Sequence, residues 1–133
     1  MENHPLEALI QEGIICLTIQ GELNEERLPL FEEDIQKVNA FIREESEKAS
    51  HPLPILTDLS KLSSTYDPSA MLLLAGFEKG NRPYVQKTFC FGANAKIKFA
   101  GEIVSALSGR GNISFFNTRE EALSALKGDV LST

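Results

Sequence analysis

A stretch dense in hydroxyl and carboxylate groups runs from Leu59 to Gly76. It reads LSKLSSTYDPSAMLLLAG and follows an apolar run that ends at Asp58. Asp58 and Asp67 both fall near the carboxyl end of a predicted strand, where open α/β sheets commonly bind ligands. As a pair they could do acid–base chemistry. No lysine or histidine lies beside either carboxylate in the sequence, so the pattern favours turn and cap roles over catalysis.

The same stretch has the chemistry of a helix start. Asp67 as the N-cap, Pro68 at the first helical position and Ser69 in the first turn are residue types favoured there. A helix amino end also offers free N–H groups and partial positive charge, so phosphate on Ser64, Thr65 or Ser69 would be tolerated. The residue types by themselves favour a capped helix over a phosphate switch.

The other reactive side chains stand alone in the sequence. His4 lies near the amino terminus and His51 lies in a proline-flanked loop, where histidines are usually solvated. Cys16 and Cys90 fall inside predicted strands and are not spaced as a metal site, which is typical of core thiols in a reducing compartment. Cys90 as a nucleophile would need a base and an oxyanion donor that the sequence does not identify. We therefore expect no catalytic residue, no metal and no cofactor.

Composition limits the classes of partner. The chain has 133 residues and a net charge of −6, and its apolar and charged fractions are those of an ordinary globular protein. We expect one domain over residues 1–133. The acidic excess argues against nucleic acid or an anionic membrane as a partner, because both need a basic patch. No apolar run could cross a bilayer and the amino end lacks a secretory signal, so we expect a cytoplasmic protein.

Hydrophobic periodicity predicts the element order ββαβαβαβα. Two short apolar segments around Glu12-Gly13 predict an opening β-hairpin. Further strands are predicted over residues 53–59, 85–92 and 112–116, and helices after Asn24, over about 68–79, over about 94–107 and from Thr118. Strands that alternate with helices imply an α/β fold, a mixed sheet of about five strands covered by about four helices.

The core and one basic group can also be predicted. The buried face of the third helix is expected to comprise Ile97, Ala100, Ile103, Val104 and Leu107. Cationic and amphipathic residues near the starts of strands are Arg82, Tyr84, Lys87 and Arg110. These four could receive an anion, or they could be surface residues packed over apolar neighbours.

Several turns and caps resemble those of the STAS superfamily, which includes anti-sigma-factor antagonists and the cytoplasmic domains of sulfate transporters. In the first half of the chain they are Gly21-Glu22-Leu23, Asp58-Leu59-Ser60 and Asp67-Pro68-Ser69-Ala70. The second half is similar to the SpoIIAA-like group through Asn81-Arg82-Pro83-Tyr84-Val85, Gly92-Ala93, Ser108-Gly109-Arg110 and Phe116-Asn117-Thr118-Arg119-Glu120-Glu121-Ala122-Leu123. The resemblance covers nearly the whole chain.

The resemblance implies a STAS-like fold and a non-catalytic role in which the protein docks onto a regulatory protein partner. It implies partner contacts at the start of the second helix and in the turn before it, at Ser64, Thr65, Tyr66, Asp67, Pro68, Ser69 and Ala70. In the antagonists the matching segment reads Asp-Ser-Ser-Gly, and a kinase phosphorylates the first serine. Pro68 stands at that position and has no hydroxyl, whereas Ser69 matches the second serine and is left as the candidate acceptor.

Two further expectations concern partners. A homodimer is expected because an edge strand such as the opening hairpin needs cover. The alternative function is a small-ligand or lipid-binding module, since the STAS-like topology resembles that of a lipid-transfer fold. Four phenylalanines would line such a ligand space, and at these spacings they are otherwise expected in the core: Phe77, Phe89, Phe91 and Phe99.

Overall fold

The computed structural model of the chain describes residues 4–109 and 111–131, without the side chains of residues 64–66 and 129–131. Its strands are β1 (Leu6–Gln11), β2 (Ile14–Ile19), β3 (Gly21–Leu23), β4 (Leu53–Asp58), β5 (Leu62–Tyr66), β6 (Val85–Phe91) and β7 (Ile113–Phe116). Its α-helices are α1 (Leu28–Ala49), α2 (Pro68–Asn81), α3 (Ala95–Ser108) and α4 (Arg119–Leu131). Among the described residues, no helix is both long and apolar enough to cross a bilayer.

Five of the strands form one mixed sheet in the order β1-β2-β4-β6-β7. β1 and β2 are an antiparallel hairpin, whereas β2, β4, β6 and β7 run parallel to one another. Parallel neighbours need a crossover connection, which the intervening helices supply. The predicted fold class, a mixed sheet of five strands with four helices, is confirmed.

The core has two layers that follow the alternation of side chains along the strands. On one face of the sheet, Ile15 and Ile55 pack with residues of α1, α2 and α3. On the other face, Leu56, Phe89 and Phe91 pack against Ala122 and Leu126, both in α4. Three helices therefore cover one face of the sheet and a single helix covers the other.

Residues 62–66 form a strand, whereas the sequence predicts a turn before the second helix that includes Ser64 and Thr65. β5 pairs in parallel with β3, so that Gly21 lies opposite Leu62. At the end of β5, the N–H of Asp67 donates to the carbonyl of Leu23 over 2.7 Å. The prediction is wrong because this strand is polar and lacks the apolar alternation by which strands are recognised. The pairing ties the start of α2 to the segment that follows β2.

The third helix buries a narrower face than the periodicity predicted. Its buried residues include Ile97, Ala100 and Val104. Ile103 and Leu107, predicted to share that face, are 36% and 55% exposed, and Phe99 is 64% exposed. α3 lies at the end of the helix layer, where it packs beside α2. It also approaches β7 so closely that a Cβ on Gly101 would lie 2.7 Å from the Phe115 ring.

Gly92 holds the loop after β4 against the end of β6. Its φ is +80°, and a Cβ there would lie 2.7 Å from the Ser60 Cβ and 3.0 Å from the Ser60 backbone nitrogen. The N–H of Leu59 donates to the carbonyl of Phe91 over 2.9 Å in the same contact. Only glycine combines this backbone angle with so close an approach. The contact sets the direction in which the chain enters β5 and α2.

We expect Gly92→Ala to lower the free energy of unfolding by about 2–4 kcal/mol, because it adds overpacking to an unfavourable φ. Gly13→Ala is the matched control, since Gly13 has a φ of +78° and its Cβ would have no neighbour within 4 Å. The control should cost only the backbone term, about 1 kcal/mol. Urea denaturation measures both variants, and an equal loss in the two would contradict the steric role of Gly92.

Candidate functional site

The start of α2 is a capped helix end. The Asp67 carboxylate accepts from the N–H of Ser69 over 2.8 Å, and Pro68 occupies the first helical position. The N–H of Ala70 donates to the carbonyl of Asp67 over 2.9 Å, and Ala70 is buried. Pro68 and Ser69 are exposed. The start of α2 is therefore well defined by local contacts and presents two residues to solvent.

Only some of the residues predicted to contact a partner, Ser64 to Ala70, can be placed together at the start of α2. Ser64, Thr65 and Tyr66 lie in β5, and their side chains are outside what the structure describes. Ser69 is exposed in the first turn of α2, but its N–H is already taken by a carboxylate. That carboxylate neutralises the positive helix end that a phosphoryl group on Ser69 would use.

Sequence reasoning missed Leu72, which is 66% exposed one turn beyond Pro68 and Ser69. The missed signal is the run Met71-Leu72-Leu73-Leu74. Four consecutive apolar residues on a helix cannot all face the core, because successive side chains are about 100° apart. Leu72 therefore adds an exposed apolar side chain to the start of α2.

The two carboxylates at this edge of the sheet serve separate turns. The Asp58 carboxylate accepts from the N–H of Ser60 over 2.8 Å and from the Ser60 hydroxyl over 2.6 Å. The Asp67 carboxylate caps α2, as described above. Each is held by its own backbone segment, which is the turn and cap arrangement that the residue types favoured.

The remaining reactive side chains are dispersed over the molecule. His4 Nδ1 lies 2.9 Å from a carboxylate oxygen of Asp34, and His51 Nδ1 lies 2.8 Å from the carbonyl oxygen of Pro52. Cys90 is buried. Burial raises the pKa of the Cys16 thiol, and the Arg119 guanidinium opposes that rise only in part. Among the described residues, no three His, Cys, Asp or Glu side chains are grouped so as to hold a metal ion.

Three of the four cationic and amphipathic residues noted in the sequence lie near the start of β6, where Arg82 and Tyr84 precede the strand and Lys87 is its third residue. Arg82 is exposed and Tyr84 is half-buried. The Lys87 ammonium lies 5.6 Å from the centre of the Phe89 ring, so its side chain packs over an apolar neighbour. Arg110 lies outside the described residues. The start of β6 is at the opposite edge of the sheet from the start of α2, so Arg82, Tyr84 and Lys87 are not part of the α2 site.

An apolar cavity of about 70 Å³ lies between the sheet and helices α2 and α3. Residues that line it include Ile55, Leu74, Phe77, Ile97, Val104 and Phe115. Phe89 and Phe91 face α4 instead and Phe99 is exposed, so the predicted group of four phenylalanines is divided. A cavity that binds benzene has a volume of about 150 Å³. The present cavity is less than half as large and cannot hold a lipid chain unless α2 and α3 move apart.

Solved structures with the same arrangement of elements come from SpoIIAA-like proteins. An anti-sigma factor antagonist from Mycobacterium paratuberculosis is 17% identical, with a TM-score of 0.61 over 92% of each chain. An uncharacterized protein of the DUF3478 family from Shewanella loihica PV-4, with a SpoIIAA-like fold, is 13% identical, with a TM-score of 0.61 over 91% of each chain. Unphosphorylated SpoIIAA, an anti-sigma factor antagonist, is 17% identical, with a TM-score of 0.58 over 92% of this chain and 98% of its own.

The class of protein is therefore defined by its fold, which is SpoIIAA-like (STAS-like). No family model matches the chain, and no curated protein matches it. Identities of 13–17% show a common fold. The resemblance read from the turns and caps is confirmed at that level.

Replacing the cap of α2 should weaken the start of the helix. We expect Asp67→Ala to lower the free energy of unfolding by about 1 kcal/mol, because the N–H of Ser69 loses its acceptor. Asp67→Asn is the matched control and should cost much less, since asparagine caps about as well as aspartate. Thermal and urea unfolding measure both variants. A loss with Asn as large as that with Ala would mean that charge, rather than the cap, holds this segment.

Proposed function

We propose that this chain is a non-catalytic, regulatory interaction domain that docks onto another protein in the cytoplasm. The docking surface is the start of α2, Ser64, Thr65, Tyr66, Asp67, Pro68, Ser69 and Ala70, extended by Leu72. The observation that carries the proposal is the exposure of Leu72, 66%, next to the exposed Pro68 and Ser69. An exposed leucine on a rigid, capped helix is a ready apolar anchor for a partner.

Two of the structural relatives are named as antagonists of anti-sigma factors, that is, as proteins that act on another protein. This supports docking as the general role, with the partner of this chain unidentified. Pro68 has neither a hydroxyl nor an N–H, and the carboxylate of Asp67 occupies the helix end beside Ser69. We therefore propose docking that needs no phosphoryl group, with Ser69 as the acceptor only if phosphorylation occurs at all.

The absence of catalysis is part of the same proposal. It is supported by the separate structural uses of Asp58 and Asp67, each of which accepts hydrogen bonds within its own turn. It is also supported by the mostly apolar lining of the interior cavity and by the burial of Cys90. General acid–base chemistry needs converging groups within hydrogen-bond reach of a substrate, and these residues do not converge.

The docking surface can be tested by placing a photo-cross-linking residue at Leu72 in living cells, identifying the protein captured and purifying it. Calorimetry with the purified partner should then show that Leu72→Ser weakens binding about tenfold or more, because a buried leucine contributes about 1.5–3 kcal/mol. Leu9→Ser is the matched control, since Leu9 is 55% exposed on β1, far from α2 in the fold. Treating the domain with phosphatase should leave the affinity unchanged.

Equal binding by the Leu72→Ser variant and the wild type would remove this surface from the interface. A loss of binding after phosphatase treatment would instead assign the interaction to a phosphorylated hydroxyl. That second result would bring Ser69 back as the acceptor.

A second candidate function, binding of a small apolar ligand, is favoured by one observation, the cavity beneath α2 and α3. Its volume of about 70 Å³ limits a resident ligand to a few heavy atoms. We expect native mass spectrometry of freshly purified protein to show the bare chain. Co-purified lipid would contradict this and would make lipid binding, with α2 and α3 displaced, the leading function.

A further inference from the structure

We infer that the outer face of α3 is the contact surface of a symmetric homodimer. Six large apolar side chains are exposed in the described part of the chain, and three of them, Phe99, Ile103 and Leu107, lie on this helix. They follow one another at four-residue steps, so they form one stripe along the helix. Exposed apolar side chains grouped in this way mark association surfaces. The inference does not rest on the docking role proposed for α2.

One flank of the stripe carries a matched pair of charges. Lys98 and Glu102 are exposed one helical turn apart, and both line an open groove of about 390 Å³ between α3 and the edge strand β7. When two copies of a helix meet antiparallel about a two-fold axis, the same flank meets the same flank. Lys98 of one copy then lies opposite Glu102 of the other, and the pair forms twice. This charge complementarity favours a second copy of the chain as the occupant.

The register set by those two ion pairs also brings the apolar side chains together. Lys98 and Glu102 are equally far from residue 100, so the contact is centred at that level of the helix. With a rise of about 1.5 Å per residue, the two Phe99 rings meet beside the two-fold axis, and each Ile103 lies next to the partner's Phe99. Each Leu107 lies level with position 93 of the opposing chain, two residues before that chain's α3 begins, where the side chain is a small alanine.

The net charge of the chain, −6, does not oppose this contact. Much of the acidic surface is on α1, whose exposed acidic residues include Glu32, Glu33, Glu44 and Glu47. α1 packs on β1 and α2 and therefore lies at the other end of the helix layer from α3. Two copies can meet through α3 without bringing their acidic faces together.

Sedimentation velocity of the purified full chain over a wide concentration range tests the dimer. The wild type should convert from monomer to dimer as the concentration rises. Phe99→Ser and Leu107→Ser should each raise the dimer dissociation constant about tenfold or more, since each removes an apolar contact from both copies. Leu9→Ser is the matched control for Leu107→Ser, because both leucines are 55% exposed. It should leave the dissociation constant unchanged.

A charge swap tests the register. Lys98→Glu and Glu102→Lys should each raise the dissociation constant roughly threefold or more, because each places like charges opposite one another twice. The double variant that exchanges the two charges should restore the wild-type value. If Lys98 and Glu102 interact only within one chain, the substitutions should change the thermal midpoint of the monomer. They should then not weaken the dimer singly and restore it together.

Three results would overturn the inference. The first is a wild type that stays monomeric at every concentration. If that monomer also floats with phosphatidylglycerol vesicles, the stripe is assigned to a lipid surface instead. The second is a dimer that Leu9→Ser dissociates while Leu107→Ser does not, which would move the contact to the β1 edge. The third is a double charge variant that fails to recover the dimer.

Discussion

The central strand β4 has to bury side chains on both of its faces, because three helices pack on one side of the sheet and α4 packs on the other. Leu53 and Ile55 belong to the core under α1, α2 and α3, while Leu56 belongs to the core under α4. Both neighbours of β4 run parallel to it, and parallel strands are stable when both faces are covered. The carboxyl ends of β2, β4 and β6 consequently meet at one edge. The segments that shape the start of α2 all leave the sheet from that edge.

Those parts of the fold that depend on strong local signals could be predicted from the sequence. The apolar run of β4 and the cap at Asp67 with Pro68 behind it both follow from residue types. The β3–β5 pair could not be predicted in the same way. Its strands are short and polar, and they are held by pairing with each other and by the contact between Gly92 and Ser60. Such contacts between distant segments leave no periodic pattern in either segment.

The residues of the candidate site likewise divide into those whose roles could be predicted from the sequence and those whose roles could not. The cap roles of Asp58 and Asp67 could be predicted, because a side chain that bonds to a backbone N–H two residues on acts within its own segment. The exposure of Leu72 and the orientation of α3 could not. A period of 3.6 residues assigns Ile103 to the same broad face as Ile97, and only the neighbours of the helix decide how much of that face is covered. α3 has α2 on one side and an open groove beside β7 on the other, so part of its apolar face is left outside.

Helices α2 and α3 carry large apolar side chains on both their inner and their outer faces. On the inner face they bury Phe77 and Ile97 beside the small residues Ala70 and Ala100, and the cavity lies beneath them. The large side chains Leu72, Phe99 and Leu107 of those same helices point outward. A helix that served only the core would turn all of its large apolar side chains inward, since burial stabilises by about 1.5–3 kcal/mol for each. The outward side chains leave apolar surface exposed on the α2–α3 half of the molecule, and contact with another molecule would recover that stabilisation.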